Sequence, residues 1–233
     1  MITEKEAAQY YDQIYGRKGV NAMRPYDYYK QVFDYLGKTV PGLKIADIGV
    51  GTGHILRVAV EKGLEAYGVD ISSEAVRISR QNVPSAKLEV APGEKLPFQD
   101  NFFDYVVCFG SLEHFIDMDK GISEMMRIAK RGAIFMIVVP NQNYFLWKLR
   151  GEFGTKQRNL KETLMDYSEW KGFLENHGLV VKKVYHDPWP WQSVKIFKHL
   201  NPWRILRRTT YRFIWLFMPL RYTYQFIFIL HKK

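Results

Sequence analysis

The sequence predicts an α/β fold built on a mainly parallel sheet, and three stretches carry that prediction. The run IADIGVGTGHI, residues 45–55, reads as a short apolar strand, a loop with glycines at 49, 51 and 53, and the start of a helical pattern. Residues 66–70 (AYGVD) read as a second strand that ends in an acid 21 residues beyond Gly49. Residues 133–139 form a continuous apolar run without alternation, which suits a parallel strand covered on both faces.

Before the first strand, residues 3–15 read as a helix opened by a capping box, Thr3 with Glu6 three places on. Tyr10, Tyr11, Ile14 and Tyr15 give it aromatic surface. Residues 16–25 read as a loop. Pro25 suits the first turn of a second helix running to Leu36, with Tyr29, Val32, Phe33 and Leu36 on one face. In the glycine loop each missing Cβ lets the backbone turn tightly or approach a nucleotide-like ligand. Ser72 or Ser73 caps the helix after the second strand, which ends near Asn82, and residues 86–90 make a third strand. Residues 105–109 make a fourth, which opens onto Gly110-Ser-Leu-Glu-His-Phe115. An amphipathic helix is expected over 119–130, ended by Gly132, with the fifth strand following. Ser168 then caps a helix to Asn176, residues 179–185 form a sixth strand, and residues 222–231 form the last.

Composition bounds the function class. A chain of 233 residues with 47% hydrophobic content can bury a sizeable core as one large α/β domain. Its single cysteine, Cys108, lies in a strand-like run, so no intrachain disulfide is expected and a reducing compartment is. The acidic, polar start is not a signal peptide, and no apolar run reaches the ~18–20 residues of a membrane span. The expected location is therefore cytoplasmic.

The net charge of +10 is concentrated at one end. No Asp or Glu follows Asp187, while residues 188–233 hold nine Lys and Arg. Residues 192–200 and 203–217 read as short helices. On a wheel of the second, Arg204, Arg207, Arg208 and Arg212 fall within an arc of about 140°, opposite a bulky apolar face with Trp203, Phe213 and Phe217. Three occupants of that basic face remain open: an anionic membrane surface met by residues 192–218, at the inner face of the membrane, RNA as the less favoured nucleic-acid partner, or solvent.

The run Asp47-x-Gly49-x-Gly51-x-Gly53 resembles the first motif of the class I S-adenosylmethionine (SAM) methyltransferases. A dinucleotide fingerprint would instead want glycine where His54 stands. Leu96-Pro97-Phe98, Asp100-Asn101 and Phe103-Asp104 also match that family's pattern. The resemblance implies a Rossmann-like seven-stranded, mainly parallel sheet with the last strand antiparallel and helices on both faces. It implies SAM as cofactor, and methyl transfer to a small-molecule or lipid-linked acceptor, such as a quinone precursor or glycolipid. Rival readings are RNA methylation and a SAM-binding protein without turnover.

The implied layout is an N-terminal helical lid (1–42), a SAM-binding core (43–141), a substrate-side cover (142–178) and the last strands with the basic insertion (179–233). Asp47 and the glycine loop would receive the methionine part, with Tyr15 and Arg24 as candidates to touch it, Arg24 by pairing with the carboxylate or else lying at the surface. Asp70 would accept bonds from the ribose hydroxyls or merely cap the next helix, and Ile71 would pack on the adenine. Pro92 stands where many members carry an Asp, so Glu94 or the backbone at Gly93 would read the adenine edge. Phe109 closes the fourth strand beside the site. His114 would shape the pocket or act as general base. One branch of the family binds a metal using a further Glu three residues before its Glu-His pair. Here that position is Gly110, and no metal is expected.

Overall fold

The computed structural model describes residues 3–151, 162–189, 210 and 217–233. Helix α1 (Glu4–Lys18) and α2 (Tyr26–Phe33) precede β1 (Lys44–Ile48), α3 (His54–Glu61), β2 (Glu65–Asp70), α4 (Ser73–Asn82), β3 (Lys87–Val90) and β4 (Phe103–Phe109). Then come α5 (Met118–Ile128), β5 (Ala129–Pro140), α6 (Phe145–Arg150), α7 (Tyr167–Asn176), β6 (Leu179–His186) and β7 (Gln225–Lys232). The sheet order is β3-β2-β1-β4-β5-β7-β6, with β7 antiparallel to both neighbours and the pairs from β3 to β5 parallel.

Strand alternation divides the core into two layers, which explains the unbroken apolar runs. Val106 and Cys108 of β4, Phe135, Ile137 and Val139 of β5, and Phe226, Phe228 and Leu230 of β7 pack with α5 and α7. Their alternates Tyr105, Val107, Phe109, Met136, Val138, Ile227 and Ile229 pack with α2 and α3 on the other face. Trp170 of α7 is wholly buried, and its Nε1–H donates to the Pro140 carbonyl at 2.9 Å, pinning α7 to the end of β5. Among the described residues no helix is long and apolar enough to cross a membrane.

Several expected boundaries move. Helix α2 has Pro25 as its N-cap and ends at Phe33, with residues 34–36 in 3-10 form. The first helix, with its Thr3–Glu6 capping box in place, runs on to Lys18, and residues 19–22 form a 3-10 turn rather than a loop. Helix α5 stops at Ile128, and Gly132 lies inside β5 with φ +77°, beside a register shift against Phe103 and Tyr105. The glycine thus serves a strand irregularity and does not end a helix. The cap of α7 is Asp166, whose carboxylate accepts the Glu169 N–H at 3.0 Å, while the Ser168 hydroxyl donates to that carboxylate. Strand β7 starts at Gln225, because residues 220–222 turn in 3-10 form and the Asn141 side chain donates to the Arg221 and Thr223 carbonyls, holding that segment off the sheet. The expected helices over 192–200 and 203–217, and so the basic face, lie outside the described residues apart from Thr210 and Phe217.

Candidate functional site

The site forms where β1, β2 and β4 end. After β1 the chain turns through Gly49 and Gly53 at φ +82° and +78°, which L-side chains rarely adopt. The two glycines do different work. A Cβ on Gly49 would stand 2.2 Å from Ser111 Oγ, so its bareness lets the loop after β4 close in. A Cβ on Gly53 would stand 2.3 Å from Ser79 Oγ, so that glycine packs α3 on α4. The Gly49 and Val50 N–H groups both donate to the Val69 carbonyl, fixing the loop to β2.

Asp70 ends β2 inside this frame. Its Oδ2 accepts the Gly51 N–H and its Oδ1 the Ser72 N–H, each at 2.9 Å. Burial, to 7% exposure, pushes its pKa up to about 6 against the pull of those two donors. Ser72 then caps α4, and Asp12 of α1 accepts from the Ser72 hydroxyl at 2.5 Å and the Glu74 N–H at 3.0 Å. The N-terminal helix is thereby docked on the start of α4, over the site.

The resulting cleft measures about 790 Å³, including space open to solvent. Its wall brings together Tyr15, Gly49, Asp70, Ile71, Gly93, Glu94, Phe109 and His114 of the expected residues. Glu94 Oε1 accepts the Ile116 N–H at 2.8 Å, tying its turn to the approach to α5. Gly93 leaves room for Phe115, whose Cζ would lie 2.2 Å from a Cβ there. His114 sits in the 3-10 turn Leu112–His114 just past β4, its ring 6.5 Å from that of Tyr11 and inclined at 68°.

Asp47 stands behind the loop, outside the cleft wall. It is 2% exposed, its Oδ1 has no hydrogen-bond partner, and burial followed by the charge of Asp70 raises its pKa well above the usual carboxylate range. Gly51 and Gly53 also lie off the wall.

Arg24 is not among the residues of the cleft wall. Its side chain is 18% exposed, its Nη1 donates to Asp187 Oδ1 at 3.1 Å, its other terminal nitrogen donates to Gln225 Oε1, and its guanidinium lies 4.4 Å from the centroid of the Tyr28 ring. Asp187 is wholly buried, and that guanidinium is its counter-charge.

Comparison with known proteins agrees with this geometry. Residues 46–137 match the family model described as a methyltransferase domain. The chain is 33% identical over 134 residues to Uncharacterized protein MJ1123 of Methanocaldococcus jannaschii, covering 58% of this chain and 62% of that one. It is 31% identical over 169 residues to Phosphoethanolamine N-methyltransferase 2 of Caenorhabditis elegans, covering 67% of this chain and 38% of that one. These matches support a class I SAM-dependent methyltransferase domain in the chain. The chain spans 38% to 62% of the length of those two curated relatives. Among solved structures, the Haemonchus contortus phosphoethanolamine N-methyltransferase 2, in complex with phosphomonomethylethanolamine and S-adenosylhomocysteine, shares the fold. Its TM-score is 0.65 at 18% identity, over 99% of this chain and 57% of that one.

Other wall residues carry no motif of their own. Ala7 and Tyr11 form one stripe of α1 with the expected Tyr15, at spacings of four, a signal present in the sequence for a helix that lays one face on a cleft. Met23, Ser111, Phe115 and Ile116 also line the wall, with the Tyr15 hydroxyl 3.6 Å from Met23 Sδ. No local pattern marks them, because their position depends on how two loops close over the glycines.

Proposed function

We propose that this methyltransferase transfers the methyl group of SAM to a small-molecule acceptor. The observation that carries the reading is the Asp70 carboxylate, held by two backbone N–H groups and facing the cleft at the carboxyl end of β2. In that position it is set to accept both ribose hydroxyls. Ile71, Gly93 and Glu94 would border the adenine, and Tyr15, Gly49 and Phe109 the methionine arm. Among the described residues neither Lys nor Arg lines the cleft, and Tyr11, Tyr15, Met23, Phe109 and Phe115 do, a wall suited to a sulfonium cation.

Bound SAM supplies a methyl group on a good leaving sulfur. The chain's own contribution is then alignment and exclusion of water: α1 covers the cleft, and the 110–116 turn shapes its far side. His114 is the candidate to take a proton from a nucleophile that must lose one. Native mass spectrometry of the purified chain tests the reading. Co-purified SAM or its demethylated product supports it, and a bound nicotinamide dinucleotide contradicts it.

The acid-free stretch after Asp187 supports a second, finer reading, in which the acceptor is met at an anionic membrane surface through residues 192–218 of a cytoplasmic enzyme. Flotation with anionic liposomes at low and high salt, beside an RNA shift assay, decides it. Salt-resistant flotation supports the membrane, a salt-sensitive shift supports RNA, and neither leaves the arginines to solvent.

A further inference from the structure

Glu113 is the buried side chain to which this transfer gives no task. It lies in the turn after β4 and is 1% exposed. Its Oε2 has no hydrogen-bond partner, while its backbone carbonyl accepts the Thr163 N–H at 2.9 Å. Burial pushes its pKa up to about 7, with the neighbouring His114 pulling it back. A buried carboxyl without a partner is costly, so one that persists calls for a group to satisfy it.

The cleft-lining residue set against Glu113 is Gly110. This residue lines the cleft with φ +60°, and a Cβ on it would stand 3.6 Å from Gln225 Nε2 and 3.7 Å from Glu113 Oε1. Gly110 therefore places no side chain between the cleft and these two polar groups. Among the described residues the recess behind it holds more carboxyl groups than cations. The charged groups facing Glu113 are His114 on its own turn, Glu162 from the segment before α7, and Arg24 from the segment before α2. Tyr11 of α1, Tyr224 ahead of β7 and Cys108 of β4 are the other titratable groups around it. Arg24 is already committed to Asp187 and Gln225. Among the described residues the recess thus sets the carboxyl groups of Glu113, Glu162 and Asp187 against one guanidinium and the His114 imidazole, which faces the cleft.

Building on the methyltransferase reading above, we propose that Glu113 binds the ammonium group of an amine acceptor and takes its proton before the methyl is transferred. An N–H bond of the ammonium breaks with its electron pair left on nitrogen, and the proton goes to the Glu113 carboxylate. The nitrogen lone pair then forms the bond to the methyl carbon, and the S–C pair goes to sulfur. The product leaves as a methylated ammonium ion, and Glu113 returns its proton to solvent. An anionic group would be repelled at this end of the cleft, and a neutral hydroxyl would leave the carboxylate without its counter-charge.

The test uses protein saturated with S-adenosylhomocysteine. Tyramine and ethanolamine, and their hydroxyl counterparts 2-(4-hydroxyphenyl)ethanol and ethylene glycol, are titrated in by calorimetry at pH 6, 7 and 8. The expected result is amine binding at least about tenfold tighter than that of the matching alcohol, strengthening from pH 6 to 8 as Glu113 ionises. Glu113→Gln should lose about tenfold or more of the amine affinity and keep its affinity for S-adenosylhomocysteine. Glu113→Asp, which keeps the charge, should retain the preference for amine over alcohol. Equal binding of alcohol and amine, no amine binding, or undiminished amine binding by a folded Glu113→Gln overturns the proposal. Failure of S-adenosylhomocysteine itself to bind would count against the methyltransferase reading instead.

Discussion

At the β1–β2 side of the sheet, the carboxylate that faces the cleft is held by backbone from nearby loops: Asp70 receives the N–H groups of Gly51 and Ser72. At the β5–β7 side, side chains hold one another across long stretches of chain. Arg24 meets Asp187, 163 residues away, and Gln225, 201 residues away, while the Asn141 amide donates to the Arg221 and Thr223 carbonyls. The first arrangement needs only a short motif to be built. The second exists only once the sheet has assembled, so it should matter more for stability than for cofactor affinity.

The largest effect is expected from Arg24→Ala. It leaves Asp187 buried without its counter-charge, which costs about 3–5 kcal/mol. The melting temperature should fall by roughly 6–20 °C for a chain of this size. Because Arg24 is off the cleft wall, affinity for S-adenosylhomocysteine in calorimetry should change less than about threefold. Lost affinity at an unchanged melting temperature would mean that the guanidinium reaches the cofactor after all, and the contrast between the two sides would break.

Gly49→Ala should hurt both properties together. It strains a residue at φ +82° and drives a methyl into Ser111, costing about 1–3 kcal/mol of stability while it narrows the cleft. Thermal unfolding and calorimetry on one sample would show whether the two losses travel together.

Changing the pH should move stability and affinity in opposite directions. The folded-state pKa values of Asp70 (about 6) and Glu113 (about 7) lie above the usual carboxylate range near 4. Protonation therefore favours the folded, unliganded chain, and its melting temperature should rise as pH falls from about 8 to 5, a rise reduced by His54 and His186, whose burial lowers their pKa and so opposes the trend. Carboxylates with lowered pKa, such as Asp12, Glu124 and Asp166, lose their contribution only below that window. Affinity for S-adenosylhomocysteine should instead weaken below pH 6, by up to about tenfold per pH unit, as Asp70 loses acceptor capacity. A parallel rise of both quantities would show that Asp70 does not hold the ribose.

The smallest effect on binding is expected from His114→Ala. Affinity should stay within about threefold, while turnover of a hydroxyl acceptor falls by about 10²-fold if the imidazole takes the proton. Unchanged turnover would leave His114 a shaping residue of the wall.

The same contrast explains what could be read in the sequence. Gly49 and Asp70 stand out because one backbone conformation and one strand end dictate residue type locally. The apolar runs of β4 and β5 stand out because both faces of those strands are covered. The partners of Arg24 could not be read, since nothing near residue 24 records that β6 and β7 bring Asp187 and Gln225 to it. Gly132 misled for a related reason. Its positive φ serves a strand irregularity opposite Phe103 and Tyr105, whereas the sequence shows only a glycine after a helical pattern. Glu113 shows in the sequence only as the acid of a Glu-His pair, because its burial and its missing partner are properties of the packed turn.

The central claim is that the cleft holds SAM through Asp70. The most direct test is calorimetric titration of S-adenosylhomocysteine into the wild-type chain, Asp70→Asn and Asp70→Ala, beside NAD. One site for S-adenosylhomocysteine and no measurable NAD binding are expected. Asp70→Ala should lose about 2–4 kcal/mol of paired, charge-assisted ribose bonds, a weakening of roughly 30- to 1000-fold, with Asp70→Asn between it and wild type. Unchanged affinity in folded Asp70→Ala, or a preference for NAD in the wild-type chain, would contradict it.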